Sequence, residues 1–234
     1  MISWNGAPKV HAVASSTHSI SNNRVLLDRA AEIAPQGITW IWGGHLAAGK
    51  LNLLGGSPGT GKSGIVINLA AAVSRGSAEC PLPDGTISPQ GHVVILASED
   101  GVEDTIVPRL IASGANMDFV HIVRGTLVYG RSRPFGSEDC DKLSAELDKL
   151  AGVRLVIIDP ITQMVRRNGN SNTEVRKALE PLIELAEKHG FAILGVAHLA
   201  KGSQKRSPLE RVAGSFAFGA LSRIVLLAVR GDAE

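Results

Sequence analysis

The chain has 234 residues, 44% of them hydrophobic and 20% charged, which suffices to enclose the core of one sizeable globular domain. Its formal net charge of only +2 excludes a uniformly basic surface, so any contact with nucleic acid must come from local patches. The two cysteines, Cys80 and Cys140, lack any paired spacing, which excludes a disulfide framework or zinc site, and no apolar run reaches the roughly 18 residues of a membrane span; the expectation is a cytoplasmic protein without a membrane partner.

Residues 1–24 mix Ser, Asn, Gly and Pro without a hydrophobic period and read as a flexible tail, leaving 25–234 as the folded domain. The stretch RVLLDRAAEIA, beginning at Arg24, has the spacing of a short amphipathic helix, ended by Pro35, Gln36 and Gly37. ITWIWGG follows as a strand with Trp40 and Trp42 on one face. These rings either cover a nucleotide base or pack on the core, and the general burial of aromatic residues favours packing.

Residues 50–63, KLNLLGGSPGTGKS, run an apolar strand into a glycine-rich turn ending in Lys-Ser. Gly56, the four residues Ser57, Pro58, Gly59 and Thr60, then Gly61, Lys62 and Ser63 meet the phosphate-loop pattern. Glycines at these positions let backbone N–H groups turn inward onto phosphate oxygens. Lys62 is placed to reach the β- and γ-phosphates of ATP, and the Ser63 hydroxyl to ligate Mg²⁺. The next segment, SGIVINLAAAVSR, is helical in period, so a helix N-terminus faces the bound anion.

After a loop rich in Gly and Pro, the continuous apolar run at 93–97 fits a strand covered on both faces and exits at Glu99 and Asp100. VEDTIVPRLIASG reads as a helix made irregular by Pro108, FVHIVRG as a short strand and DCDKLSAELDKL as an amphipathic helix. VRLVIIDP then carries a buried strand into Asp159, the carboxylate that a phosphate loop needs in the Mg²⁺ shell. ITQMVRRNGNSN turns polar after its first residues and predicts a mobile loop, before a helix that Gly190 stops. FAILGVAHLAKG is a strand exiting at His198, KGSQKRSPLER a basic loop, VAGSFAFGALS a small-residue helix and RIVLLAV a last apolar strand. Apolar strands separated mostly by helices predict an α/β fold, a mainly parallel central sheet with helices on both faces. Ser63, Glu99, Asp159 and His198 all fall at or just beyond strand ends, as one site at the C-terminal sheet edge requires.

In their order, the phosphate loop, ASED, IIDP, HLAKG and RVAGSFAFGALSR resemble the RecA-type P-loop NTPases, and among them the RepA-like group of plasmid and phage replication ATPases related to hexameric helicases. The resemblance spans residues 25–234. It implies Glu99 as the general base that orients the attacking water, which agrees with the need for a carboxylate near the γ-phosphate but outside the Mg²⁺ shell; Asp100 is the rival. It implies His198 as γ-phosphate sensor. It also implies two loops, 162–173 with Arg166 and Arg167 and 199–212 with Lys201, Lys205 and Arg206, facing single-stranded DNA in the channel of a homo-oligomeric ring, a hexamer. Neither loop holds an aromatic residue for stacking. Such rings complete each site with a Lys or Arg from the neighbouring subunit, expected on strands beyond RIVLLAV, so the family's C-terminal strands are expected past Glu234 and Arg223 and Arg230 are the late candidates within this sequence. The implied function is an Mg²⁺-dependent ATPase that moves or unwinds DNA in the replication of a mobile element. The alternatives are a regulatory or repair ATPase of the same fold that does not unwind, and a small-molecule kinase.

Overall fold

The fold is that of a computed structural model, which describes residues 25, 27–166, 169–199 and 215–231. The chain divides into two units, Met1–Gly37 and Ile38–Glu234. In the first, the described residues of the amphipathic helix expected from Arg24 onward, 25 and 27–34, form no α-helix. A single 3-10 turn, Ala30–Glu32, stands in its place, and Val25, Leu27 and Ile33 are exposed. Eleven residues are too few for a helix to persist without an apolar surface to pack on, and these side chains bury nothing.

The second unit is built on a six-stranded sheet whose strands all run parallel. In chain order they are β3 (Leu51–Gly56), β4 (His92–Ala97), β5 (Val120–Ile122), β8 (Val153–Asp159), β9 (Ala192–His198) and β10 (Ile224–Ala228), arranged β10-β3-β9-β8-β4-β5. Two small antiparallel hairpins accompany it, β1 (Trp40–Trp42) with β2 (Leu46–Ala47) and β6 (Thr126–Val128) with β7 (Arg131–Arg133). Among the described residues the α-helices are α1 (Lys62–Arg75), α2 (Val107–Ala112), α3 (Cys140–Leu147), α4 (Asn172–His189) and α5 (Phe216–Leu221). The sheet reads as continuous apolar strands because both faces are covered, with successive side chains sent to opposite sides. Leu53, Val94, Leu96, Val156, Ile158 and Ile193 join the core under α3, α4 and α5, while their neighbours Leu54, Val93, Ile95, Leu155, Ile157 and Leu194 join the core under α1 and α2. Fold class and layering agree with the sequence reading.

Local chemistry sets the ends of these elements. Ser171 caps α4 by accepting from the Glu174 N–H, and Gly190 at φ 74° ends it. Pro108 cannot return an N–H to the preceding turn, and the chain passes through a π turn, Val102–Ile106, before restarting as α2 with the proline in its first turn. Asn52, fully buried in β3, accepts from Ala47 N and donates to the carbonyls of Ala47, Lys50 and Ile193 at 3.0–3.1 Å, which ties the first hairpin to the sheet. Trp42 and His45 stack at 4.3 Å, and Trp42 packs half-buried against the core, the placement the sequence reading favoured over base cover. Among the described residues no helix is long and apolar enough to cross a membrane.

Candidate active site

The register of the sheet brings the expected residues to one edge. Gly56 at the end of β3 lies opposite His198 at the end of β9, and Ala97 at the end of β4 lies opposite Asp159 at the end of β8. Because β3, β9, β8 and β4 are neighbours, the phosphate loop, His198, Asp159 and Glu99 stand side by side at the C-terminal edge.

The loop itself takes the shape its residues demand. A Cβ on Gly56 would lie 2.7 Å from Thr60 Oγ1 and 2.9 Å from the Ala228 carbonyl, so only glycine fits there. Gly61, at φ 84°, turns the chain into the first residue of α1. Thr60 Oγ1 donates to the Ser57 carbonyl at 2.9 Å, closing the loop across its middle, while Ser57, Pro58 and Gly59 are exposed at its tip. Lys62 is buried, its ammonium donating to the carbonyls of Gly56 and Ser57 at 3.0 Å each. Burial pushes its pKa down, against the opposing pull of Asp159 and Glu99.

Ser63, Glu99, Asp100, Arg109 and Asp159 line one pocket beside the loop. Burial pushes the Asp159 carboxyl up, and the negative charges of Glu99 and Asp100 add to that, outweighing His198 and Lys62. This crowding of carboxylates is what a cation relieves, so the donor set fits a divalent metal held by Asp159, the Ser63 hydroxyl and phosphate oxygens. Among the described residues no three His, Cys, Asp or Glu side chains form a self-sufficient metal cluster, and a metal here depends on the anion beside it.

The two carboxylates after β4 have different surroundings. Asp100 is held by Arg109 at 3.1 Å. Glu99 instead lies 3.7 Å from His198 Nε2, with both side chains about half exposed. Arg109, which sequence reasoning passed over, announces itself only as a basic residue in the helix that follows the acidic pair. Gln163 was also passed over; it donates to the Leu96 carbonyl at 3.2 Å and fastens the turn after Asp159 to β4.

The late arginines separate. Arg223 immediately precedes β10, its backbone N–H donating to Leu51 O at 2.7 Å, so it lies at the sheet edge opposite its own phosphate loop. Arg230, just past the end of β10, sets its guanidinium on the Gly59 carbonyl of its own loop at 3.2 and 3.4 Å. Of the expected DNA-contacting residues, Arg166 pairs with Glu138 at 2.7 Å and donates to the Pro134 carbonyl at 3.2 Å. Arg167, Lys201, Lys205 and Arg206, like the tail 1–24, lie outside the described residues.

Comparison with known proteins agrees with this geometry. Residues 17–204 match the AAA domain family. The chain is 26% identical over 172 residues to the DNA repair protein RadA of Brucella abortus (strain 2308), and 23% identical over 172 residues to the DNA repair protein RadA of Bacillus subtilis (strain 168). Each alignment takes in 72% of this chain and 32% of the relative, so the chain spans about a third of the length of these proteins. With a phosphate loop at the C-terminal edge of a parallel sheet and a family match over most of its length, the chain belongs to the AAA domain family and is a RecA-like P-loop ATPase.

Proposed function

We propose that the chain hydrolyses ATP with Glu99 as general base and uses the energy to move or unwind single-stranded DNA as part of a homo-oligomeric ring, a hexamer of the RepA-like type that serves replication of a plasmid, phage or mobile element. The observation that carries the catalytic part is the contrast between the two acidic residues. Asp100 is engaged by Arg109, and Glu99 stands near His198 in the pocket it shares with Ser63 and Asp159. A base must be within reach of the attacking water and free to take its proton. The backbone of residues 56–61 and Lys62 bind the phosphates, Ser63 and Asp159 hold Mg²⁺, and His198 senses the γ-phosphate through its place between the loop and Glu99. Held by Ser63 and Asp159, Mg²⁺ would supply neutralisation of the phosphate charge.

A second reading, a repair or recombination ATPase that does not unwind duplex, is favoured by the names of the two relatives, both DNA repair proteins. A forked duplex assayed with ATP and Mg²⁺ separates the readings. Strand separation coupled to hydrolysis supports the replicative motor, and hydrolysis stimulated by single strands without separation supports the repair ATPase. If phosphate reached only an added small-molecule acceptor and never water, both readings would fail in favour of a kinase.

A further inference from the structure

The β6–β7 hairpin is not accounted for by the ATP site. From Val120 to Gly136 the sequence holds Arg124, Arg131 and Arg133 and no acidic residue, in a chain whose net charge is only +2. Its tip is Tyr129-Gly130, with φ of 48° and 76°, the backbone of a type I′ turn. The first central position of that turn favours Asn, Asp or Gly. Here it holds the single tyrosine of the chain, the one non-glycine residue with positive φ among the described residues, and its side chain is completely exposed. Neither burial nor backbone preference explains a tyrosine there. Leu127, paired with the small Ser132 two residues before the tyrosine, is likewise exposed.

The base of the hairpin is rigid where its tip is bare. Asp139, buried, accepts from Thr126 Oγ1 at 2.9 Å, from both terminal nitrogens of Arg133 at 2.7 Å and from Lys142 at 2.9 Å. Arg131 is paired through its backbone with Val128 across the hairpin, but its side chain is exposed and makes no ion pair or hydrogen bond among the described residues. Arg124 is paired with Glu103 at 2.6 Å, but both side chains are mostly exposed, so that pair exchanges readily for another anion. Arg166, from the loop after β8, bonds to Pro134 and Glu138 at the exit of the hairpin, so the two segments form one continuous surface.

We infer that the β6–β7 hairpin is a contact for single-stranded nucleic acid, with a base stacked on Tyr129 and neighbouring phosphates on Arg131 and Arg124. This rests on the DNA-acting reading above and adds to it an aromatic platform that the two expected loops lack. A rigid hairpin presenting one exposed aromatic ring among arginines has the chemistry of sequence-tolerant strand binding, in which stacking and backbone charge act together.

The test is fluorescence anisotropy of a labelled oligothymidine across a salt series, with ATP and Mg²⁺ present, using the full chain. Tyr129→Asn is expected to weaken binding by about fivefold to a hundredfold, while its melting temperature holds or rises because Asn suits the positive φ. Tyr129→Trp is expected to bind like the wild type, and Arg131→Ala to flatten the salt slope by about 0.7. If Tyr129→Asn binds as tightly as a wild type that does bind, the hairpin assignment is overturned and the DNA-acting reading survives. If the wild type binds no single strand in any nucleotide state, both fall. A Tyr129→Asn protein that sediments differently from the wild type without DNA would show a contact between copies of the chain, and would also overturn the assignment.

Discussion

Lys62 is buried, which lowers its pKa, and the negative charges of Asp159 and Glu99 oppose that shift. Its ammonium donates to two loop carbonyls. Lys62→Ala is expected to abolish the thermal shift given by ATP and Mg²⁺, and an unchanged shift would refute the role given to this lysine. Glu99→Gln keeps the shape of the base but not its proton affinity. It is expected to retain ATP binding and lose turnover by about a hundredfold to ten-thousandfold, whereas Asp100→Asn, which loosens the Arg109 pair and eases the charge on Asp159, costs far less; steady-state hydrolysis by both variants decides between them. Asp159 yields a prediction on stability. Its folded-state pKa is raised by burial and by Glu99 and Asp100, so it favours the folded state below the unfolded value of about 3.9, and that contribution is lost as pH rises through the folded pKa. Asp159→Asn should therefore melt higher than the wild type at neutral pH without nucleotide, the gap should close in acid, and the stabilisation by ATP and Mg²⁺ should shrink. Equal melting curves at neutral pH would show that the site holds no electrostatic strain.

At the scale of elements, the hairpin and the first helix make opposite cases. RVLLDRAAEIA has a helical period, yet its described residues form only a 3-10 turn, because a period is only an offer of an apolar face and Val25, Leu27 and Ile33 remain exposed. TLVYGRSR lacks the Asn-Gly signal of a hairpin and is one nonetheless, because Asp139 clamps it from a distance through Thr126 and Arg133. Burial alone would push the Asp139 carboxyl up, but the hydrogen bonds from Arg133, Lys142, Thr126 and the Gly136 N–H prevail and hold it well below the usual carboxylate range. A depressed pKa contributes stability that is present above the unfolded value of about 3.9 and lost as pH falls through the folded one. Asp139→Ala leaves Arg133 without its buried partner and is expected to cost about 3 kcal/mol at neutral pH, with the difference from the wild type narrowing in acid. Denaturant melts at pH 7 and pH 3 check both the size and the sign.

For the whole molecule, the question is what completes the site. Arg230 already rests on the chain's own phosphate loop, whereas Arg223 lies at the far edge of its own sheet, away from that loop. A charge supplied between subunits is worth about a thousandfold to a hundred-thousandfold in phosphoryl transfer. If Arg223 fills that role, turnover per chain should rise with protein concentration, and Arg223→Ala should remove the rise while leaving ATP affinity intact. Turnover that is independent of concentration, with sedimentation as a monomer in ATP and Mg²⁺, would refute the ring.

The phosphate loop, the strand ending in Asp159, the strand exiting at His198 and the layered parallel sheet were all legible in the amino-acid sequence. Each is written in contiguous residues: glycines where a close approach or a positive φ requires them, and apolar runs whose length and period are set by the backbone. That such strand ends gather at one edge followed from the topology rule for parallel sheets. The partners of the charged side chains were decided only by the tertiary structure. Arg109 on Asp100, His198 near Glu99, Arg166 on Glu138 and Arg230 on Gly59 are pairings between different elements. An exposed or half-buried charge carries no local signature of its partner, and it is the packing of α2, β9 and β10 around the sheet that brings one group within 4 Å of another.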